Sequence, residues 1–237
     1  MNSERKSKNK KAHRGLFYNF CYDFVKVTGA IPALLWLRPK VYRPYKSKIP
    51  KGGVMVTANH STMIDPIIMH LAIPSRRMHS LATKDLFNTK LKRTFFELMH
   101  CVIVDKDNFT MSAFREVVSL LSEGKMVVIF PEGSVDIYSE DNIRAFKSGA
   151  VLMAHKAGAP ILPVYIVRRT RWYERQRVVI GEPFDVRAEI GERPSLEDME
   201  RATAMLHERE LALREYFESL PIFEKLQKRN EKQRRKR

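Results

Sequence analysis

Lys125-Met126-Val127-Val128-Ile129-Phe130-Pro131-Glu132-Gly133-Ser134 is the stretch on which the fold turns. Five apolar residues stand unbroken between Lys125 and Pro131, the pattern of a strand covered on both faces rather than the alternation of a half-exposed one. Proline cannot donate to a ladder, so the strand stops there and a turn follows. Upstream, residues 110–121 carry Phe114, Val117, Val118 and Leu121 on one helical side, and Gly124 closes that helix. Helix, buried strand and polar turn follow one another within about twenty-five residues.

The same grammar repeats outward. Gly52 and Gly53 precede a strand Val54-Met55-Val56-Thr57, residues 78–83 and 101–104 read as strands, and residues 90–99 as a helix between them. Residues 161–167 and 177–180 are further strands, with Gly181-Glu182-Pro183 as a turn. Residues 196–220 form a helix packing through Met199, Ala202, Leu206 and Leu213. Such alternation specifies an α/β fold, a central, largely parallel sheet flanked by helices, with sites gathering at the C-terminal ends of strands. A chain of 237 residues buries about 70% of its unfolded surface, enough for one such domain with appendages.

The loop after Val54–Thr57 reads Asn59-His60-Ser61-Thr62-Met63-Ile64-Asp65, closed by Pro66. It places a carboxylate five residues after a histidine, the side chain most easily made a general base near neutral pH. Five residues on a straight helix lie about 140° apart, so His60 and Asp65 meet only across a turn. Asp65 as N-cap and Pro66 as the first helical residue supply that turn, with Ile67, Ile68, Leu71 and Ala72 as the buried side of the helix that follows. A bare His-x4-Asp is weak evidence; the bland alternative is a capping aspartate beside an incidental loop histidine.

Charge is distributed unevenly. Lys+Arg number 43 against 27 Asp+Glu, a net +16, which draws the chain to phosphate-bearing surfaces. Residues 1–15 form a basic arm expected to be poorly ordered, and residues 221–237 a basic tail with no aromatic after Phe223. Nucleic acid, which wants aromatics interleaved with cations, is therefore the disfavoured partner. Between arm and domain, residues 16–48 contain an amphipathic segment: Leu16, Phe17, Phe20, Phe24, Val27 and Ile31 recur at helical spacing opposite Asn19, Asp23 and Lys26. Pro32 is expected to kink or end the helix, after which Trp36 stands beside Arg38 and Lys40, as in an interfacial belt. The apolar run is shorter than the ~20 residues of a spanning helix and contains charges, so it is expected to lie in one leaflet. The anionic surface of a membrane is the expected partner, with the protein expected to be peripheral or monotopic on its cytoplasmic face. Residues 49–220 are then the compact α/β domain. Two cysteines, Cys21 and Cys101, fit a reducing compartment and offer no metal spacing; no metal or cofactor is expected.

Asn-His-x4-Asp, Phe130-Pro131-Glu132-Gly133-Ser134, Phe146-Lys147-Ser148-Gly149 and Ala159-Pro160-Ile161-Leu162-Pro163-Val164 stand in one order along the chain. Together with Lys84-Asp85-Leu86-Phe87 they resemble the glycerolipid acyltransferase family, the 1-acyl-sn-glycerol-3-phosphate and lysophospholipid acyltransferases. The resemblance runs from about Leu16 to Asp185. It implies transfer of an acyl chain from a thioester, on acyl carrier protein or coenzyme A, to the free hydroxyl of a lysophospholipid, without a covalent intermediate. By the same resemblance His60 is the general base and Asp65 orients it. Asn59, Glu132, Gly133, Ser134 and Lys147 belong to the acceptor-binding surroundings, and backbone N–H groups near Gly133 are candidates for the oxyanion. Lys106 stands where the family carries a basic residue after an apolar pair, although the preceding glycine is missing. Val135, followed by Asp136, replaces the arginine that follows this motif in the family, and valine offers a phosphate nothing. That departure keeps open acylation of, or acyl exchange on, another lysolipid. A non-catalytic basic protein binding membranes or nucleic acid is the reading from a different class.

Overall fold

The computed structural model describes residues 2–46, 48–104, 110–133 and 143–234, with side chains from residue 16 to residue 232. Its seven strands are β1 (Lys40–Tyr42), β2 (Val54–Ala58), β3 (Met78–Thr83), β4 (Val102–Val104), β5 (Met126–Ile129), β6 (Ile161–Val167) and β7 (Arg177–Ile180). They form one sheet in the order β1-β7-β6-β2-β5-β3-β4. The five strands from β6 to β4 are parallel, while β7 pairs antiparallel with β6 and β1 parallel with β7, so the last two run the other way. The expected fold, a largely parallel sheet flanked by helices, is what forms.

Every residue of β2 is buried, which is why Val54–Ala58 shows no alternation: it lies at the centre with helices on both faces. Val54, Val56 and Ala58 turn to one side with α1 (Asn2–Leu37) and α2 (Asp65–Ala72), through Leu37, Ile68, Met69 and Ala72. Met55, Val127 and Ile161 turn to the other, against α4 (Met111–Ser122), α5 (Gly149–Ala157), α6 (Val186–Ile190) and α7 (Leu196–Glu218). The remaining helices are α3 (Lys90–Leu98), preceded by a 3₁₀ turn at Lys84–Phe87, and α8 (Pro221–Arg234). Gly53 lies so close to Leu121 that an added Cβ would fall 2.0 Å from its carbonyl oxygen; the bare backbone lets α4 pack against the start of β2.

Several local expectations are corrected. Residues 2–15, read as an arm, are the first turns of α1, and the basic tail becomes α8 as far as Arg234; Lys, Arg, Glu and Gln are good helix formers whatever their solvation. Pro32 lies inside α1, which runs on to Leu37. Lys40–Tyr42, within the stretch of residues 16–48 assigned to the membrane-associated segment, is an edge strand. On α2 the buried side is Asp65, Ile68, Met69 and Ala72, leaving Ile67 exposed.

Helix α1 is held to the domain by its polar side. Tyr22 is fully buried, its hydroxyl accepts from Met78 N at 3.1 Å, and its ring stacks on His100 at 4.8 Å. Asp23 pairs with Arg77 at 2.6 Å, and Lys26 Nζ donates to Pro74 O at 2.8 Å. The opposite stripe is bare: Leu16, Phe17, Phe20, Phe24, Val27 and Ile31 are each more than half exposed. By length and composition Leu16–Leu37, with mean hydropathy 1.3, would also suffice to cross a membrane.

His79 stacks on His100 at 5.0 Å beneath this junction. Burial, then the positive field of His100, lowers the His79 pKa from 6.5 to about 4; burial likewise lowers His70 and His100. The unfolded chain takes up protons that the folded one refuses, so their contribution to stability is intact above pH 6.5 and is lost as pH falls below it. Urea unfolding at pH 7.5 and 5.0 should show a loss on the order of 2 kcal/mol attributable to His79, and His79→Gln should flatten the profile.

Candidate active site

Strands β2, β5 and β6 are neighbours in the sheet, and the loops leaving their C-terminal ends converge. Asn59 does this stitching. Its Oδ1 accepts from Ile166 N at 2.7 Å and its Nδ2 donates to Ile166 O at 3.1 Å, so the side chain acts as one more residue of a ladder between β2 and β6. Nδ2 also approaches Ser61 Oγ at 3.3 Å.

The next residue is His60. Its Nδ1 lies 2.9 Å from Asp65 Oδ2, and the same oxygen accepts from Ser61 N and Thr62 N, both at 2.8 Å. Thr62 Oγ1 donates to Asp65 Oδ1, and Thr62 O accepts from Asp65 N at 3.1 Å. Asp65 is 1% exposed and is the first residue of α2, with Ile64 at the N-cap position. The N-cap expected at Asp65 falls instead on Ile64, and Asp65, one residue inside the helix, caps nothing but turns its carboxylate back onto the preceding loop, which is how it meets His60. The His60 ring stacks on Phe130 at 4.1 Å and 18°. With Nδ1–H donated to Asp65, the lone pair of the neutral ring resides on Nε2.

From β5 comes the second loop. Glu132, 7% exposed, receives His60 N through Oε1 at 3.4 Å. Gly133 has φ +76°, and an added Cβ would come 2.8 Å from Lys147 Nζ, so the lysine lies across the glycine. Lys147 is itself anchored, its N–H donating to Pro131 O at 3.0 Å. Gly133 N donates to Phe130 O at 3.1 Å, and that engagement removes it from the candidates for an oxyanion donor. Asn59, His60, Asp65, Glu132, Gly133 and Lys147 are therefore brought together. Lys106, Ser134, Val135 and Asp136 lie outside the described residues.

Glu210 was not legible as part of this surrounding. It is fully buried on α7 beside Thr57 of β2, and neither carboxyl oxygen has a well-formed hydrogen-bond partner among the described residues, the Thr57 hydroxyl included. Burial raises its pKa well above the usual carboxylate range, opposed by Thr57 and reinforced by the charge of Glu132. The signal was available: Leu206, Glu210, Leu213 and Phe217 follow helical spacing, and an acid within an apolar stripe is out of pattern. Cys101, by contrast, precedes β4 at the other end of the sheet, with its thiol pushed up by burial to about 11; it is neither near His60 nor a ready nucleophile. A cleft of about 160 Å³ opens between the Ser61–Asp65 loop and the residues after β6, among them Arg168, Arg169 and Trp172.

Comparison with known proteins gives this arrangement a family. Residues 40–167 match the family described as Acyltransferase. The chain is 31% identical over 198 residues to the 1-acyl-sn-glycerol-3-phosphate acyltransferase of Bacillus subtilis, covering 81% of this chain and 94% of that protein. It is 32% identical over 166 residues to a probable 1-acyl-sn-glycerol-3-phosphate acyltransferase of Mycoplasma genitalium, covering 66% of this chain and 61% of that one. Among solved structures it resembles the 1-acyl-sn-glycerophosphate (LPA) acyltransferase PlsC of Thermotoga maritima, with TM-score 0.63, 22% identity, and coverage of 87% of this chain and 84% of that one; at that identity the likeness speaks for the fold. The loops that hold His60, Asp65, Glu132 and Gly133 lie inside the matched residues, and the chain belongs to the acyltransferase family.

Proposed function

We propose that the chain transfers a fatty acyl group from an acyl thioester, on acyl carrier protein or coenzyme A, to the free hydroxyl of 1-acylglycerol-3-phosphate, giving phosphatidic acid. The observation that carries the chemistry is the His60–Asp65 pair at 2.9 Å, set on a loop that the Glu132 carboxylate touches; the names of the relatives support the acceptor. An alcohol is a weak nucleophile until its proton is removed. His60 Nε2 takes that proton as the oxygen attacks the thioester carbonyl, while Asp65 stabilises the imidazolium and fixes its orientation. When the tetrahedral intermediate collapses, the C–S bond breaks and the imidazolium returns the proton to the departing thiolate. The substrate hydroxyl stands where a catalytic serine would, so no residue of the chain need be acylated. Lys147, lying over Gly133, supplies a cation for the acceptor phosphate, and Lys106 a second from its place in the sequence.

The enzyme works at a membrane surface. The bare stripe of α1 is matched by a polar side already tied to Met78, Arg77 and Pro74. A helix so held along one flank lies in a single leaflet with its phenylalanines among the acyl chains. Val135 with Asp136 favours a second reading of the acceptor, in which the phosphate is flanked by a further headgroup; a panel of lysolipids separates the two.

His60→Ala should lower transfer by roughly 10³ with the fold intact by circular dichroism, and Asp65→Asn should lower kcat with little change in KM. Full activity in His60→Ala would remove it as the base. Gly133→Ala should displace the Lys147 ammonium and raise KM for lysophosphatidic acid more than it lowers kcat. For the membrane, Phe20→Ser with Phe24→Ser, both exposed, should abolish cosedimentation with phosphatidylglycerol vesicles while leaving the urea midpoint unchanged.

A further inference from the structure

The loop between β6 and β7 reads Arg168-Arg169-Thr170-Arg171-Trp172-Tyr173-Glu174-Arg175. Its acid is consumed internally. Glu174 is buried, accepts from Thr170 N at 3.0 Å and Thr170 Oγ1 at 2.9 Å, and pairs with Arg229 of α8. Asn230 of the same helix accepts from Thr170 Oγ1 at 3.3 Å and from Arg171 at 3.4 Å. The loop is braced from beneath, yet it turns its aromatics outward: Trp172 is 73% exposed and Tyr173 45%, packed edge to face at 5.7 Å. Rigid support for a tryptophan kept in water has no use in the folded domain by itself.

The end of α1 joins this loop. Trp36 Nε1 donates to Trp172 O at 2.9 Å, the Arg169 guanidinium lies 4.8 Å over the Trp36 ring, and Arg38 donates to Tyr173 O at 2.7 Å. Leu35, Trp36, Trp172 and Tyr173 thus form one exposed apolar–aromatic patch, rimmed by arginines. Because β7 is antiparallel to β6, the turn between them falls at the C-terminal end of β6, the end at which His60 follows β2, and the cleft described above runs from Asp65 to Trp172.

The geometry points to this loop as a second contact with an anionic bilayer, with Trp172 and Tyr173 seated at headgroup depth and the exposed Arg38 and Arg175 turned toward lipid phosphates. The inference rests on the membrane reading of α1 and goes beyond it. A single helix leaves the domain free to roll about the helix axis, whereas a helix and a braced aromatic loop fix a plane. That plane brings the mouth of the cleft against the lipid surface.

The chain contains two tryptophans, which makes the contact readable. In full-length Trp36→Phe the only indole left is Trp172. On vesicles of phosphatidylglycerol and phosphatidylcholine its emission should shift to the blue and be quenched by shallowly brominated lipid. Trp172→Ala should lower the vesicle partition coefficient about tenfold, the loss of one large interfacial aromatic. Protein that cosediments while Trp172 stays unshifted and unquenched would overturn the second contact and leave the α1 reading standing; protein that fails to cosediment would overturn both. A blue shift with single-stranded oligonucleotide and none with vesicles would reassign the patch to nucleic acid.

Discussion

One buried carboxylate organises the site. Asp65 is taken out of water at the start of α2, which would cost several kcal/mol without partners. It is supplied with four: two backbone N–H groups, the Thr62 hydroxyl and the His60 ring. The same bonds that make its burial tolerable wind residues 60–65 into a closed loop, and the loop in turn delivers the imidazole in one orientation. Folding of this segment and definition of the histidine tautomer are a single event, and the positive end of the α2 dipole lies where the negative charge collects.

What lies around that loop is held from farther away. The Asn59 amide ties it to β6 through both polar groups of Ile166, and Glu132 reaches it from β5. Beneath them the Glu210 carboxyl is pushed well above the usual carboxylate range, because the sheet and α7 exclude water and Glu132 adds a second negative charge. The central strand therefore carries polar attachments at its C-terminal end and apolar ones along its length, a division that a parallel sheet covered on both faces permits.

The fold was largely legible. Unbroken apolar runs such as Met126–Ile129, separated by helical patterns, specify a covered sheet without reference to any relative, and the proline and glycine after them mark the loops. The geometry within those loops was less so. Asp65 could be assigned to a helix start but not turned backwards, because the direction of its side chain depends on where two N–H groups of the preceding loop point. Three residues at Lys40–Tyr42 are too few for a periodic signal and become a strand only because β7 is beside them. The helical form of the basic termini was missed for the opposite reason: high charge argues for solvation, while the same lysines, arginines and glutamates favour helix. His60 and Asp65 stood out by residue type and spacing, whereas Asn59, Glu132, Gly133 and Lys147 were named through the resemblance to the acyltransferase family. Glu210 was missed because charge on a long helix was taken as solvent-facing.

The pair proposed to move the proton lies within six consecutive residues that close on themselves, whereas the groups proposed to hold the acceptor come from the loop after β5, from the chain before α5 and from Lys106. A substitution at Lys147 leaves the Asp65 bonds untouched. Acceptor choice is therefore free to drift across descendants of such a chain while the proton-transfer loop is inherited whole. Two proteins of this kind can share an identical His–Asp geometry and still differ in the lipid each of them acylates.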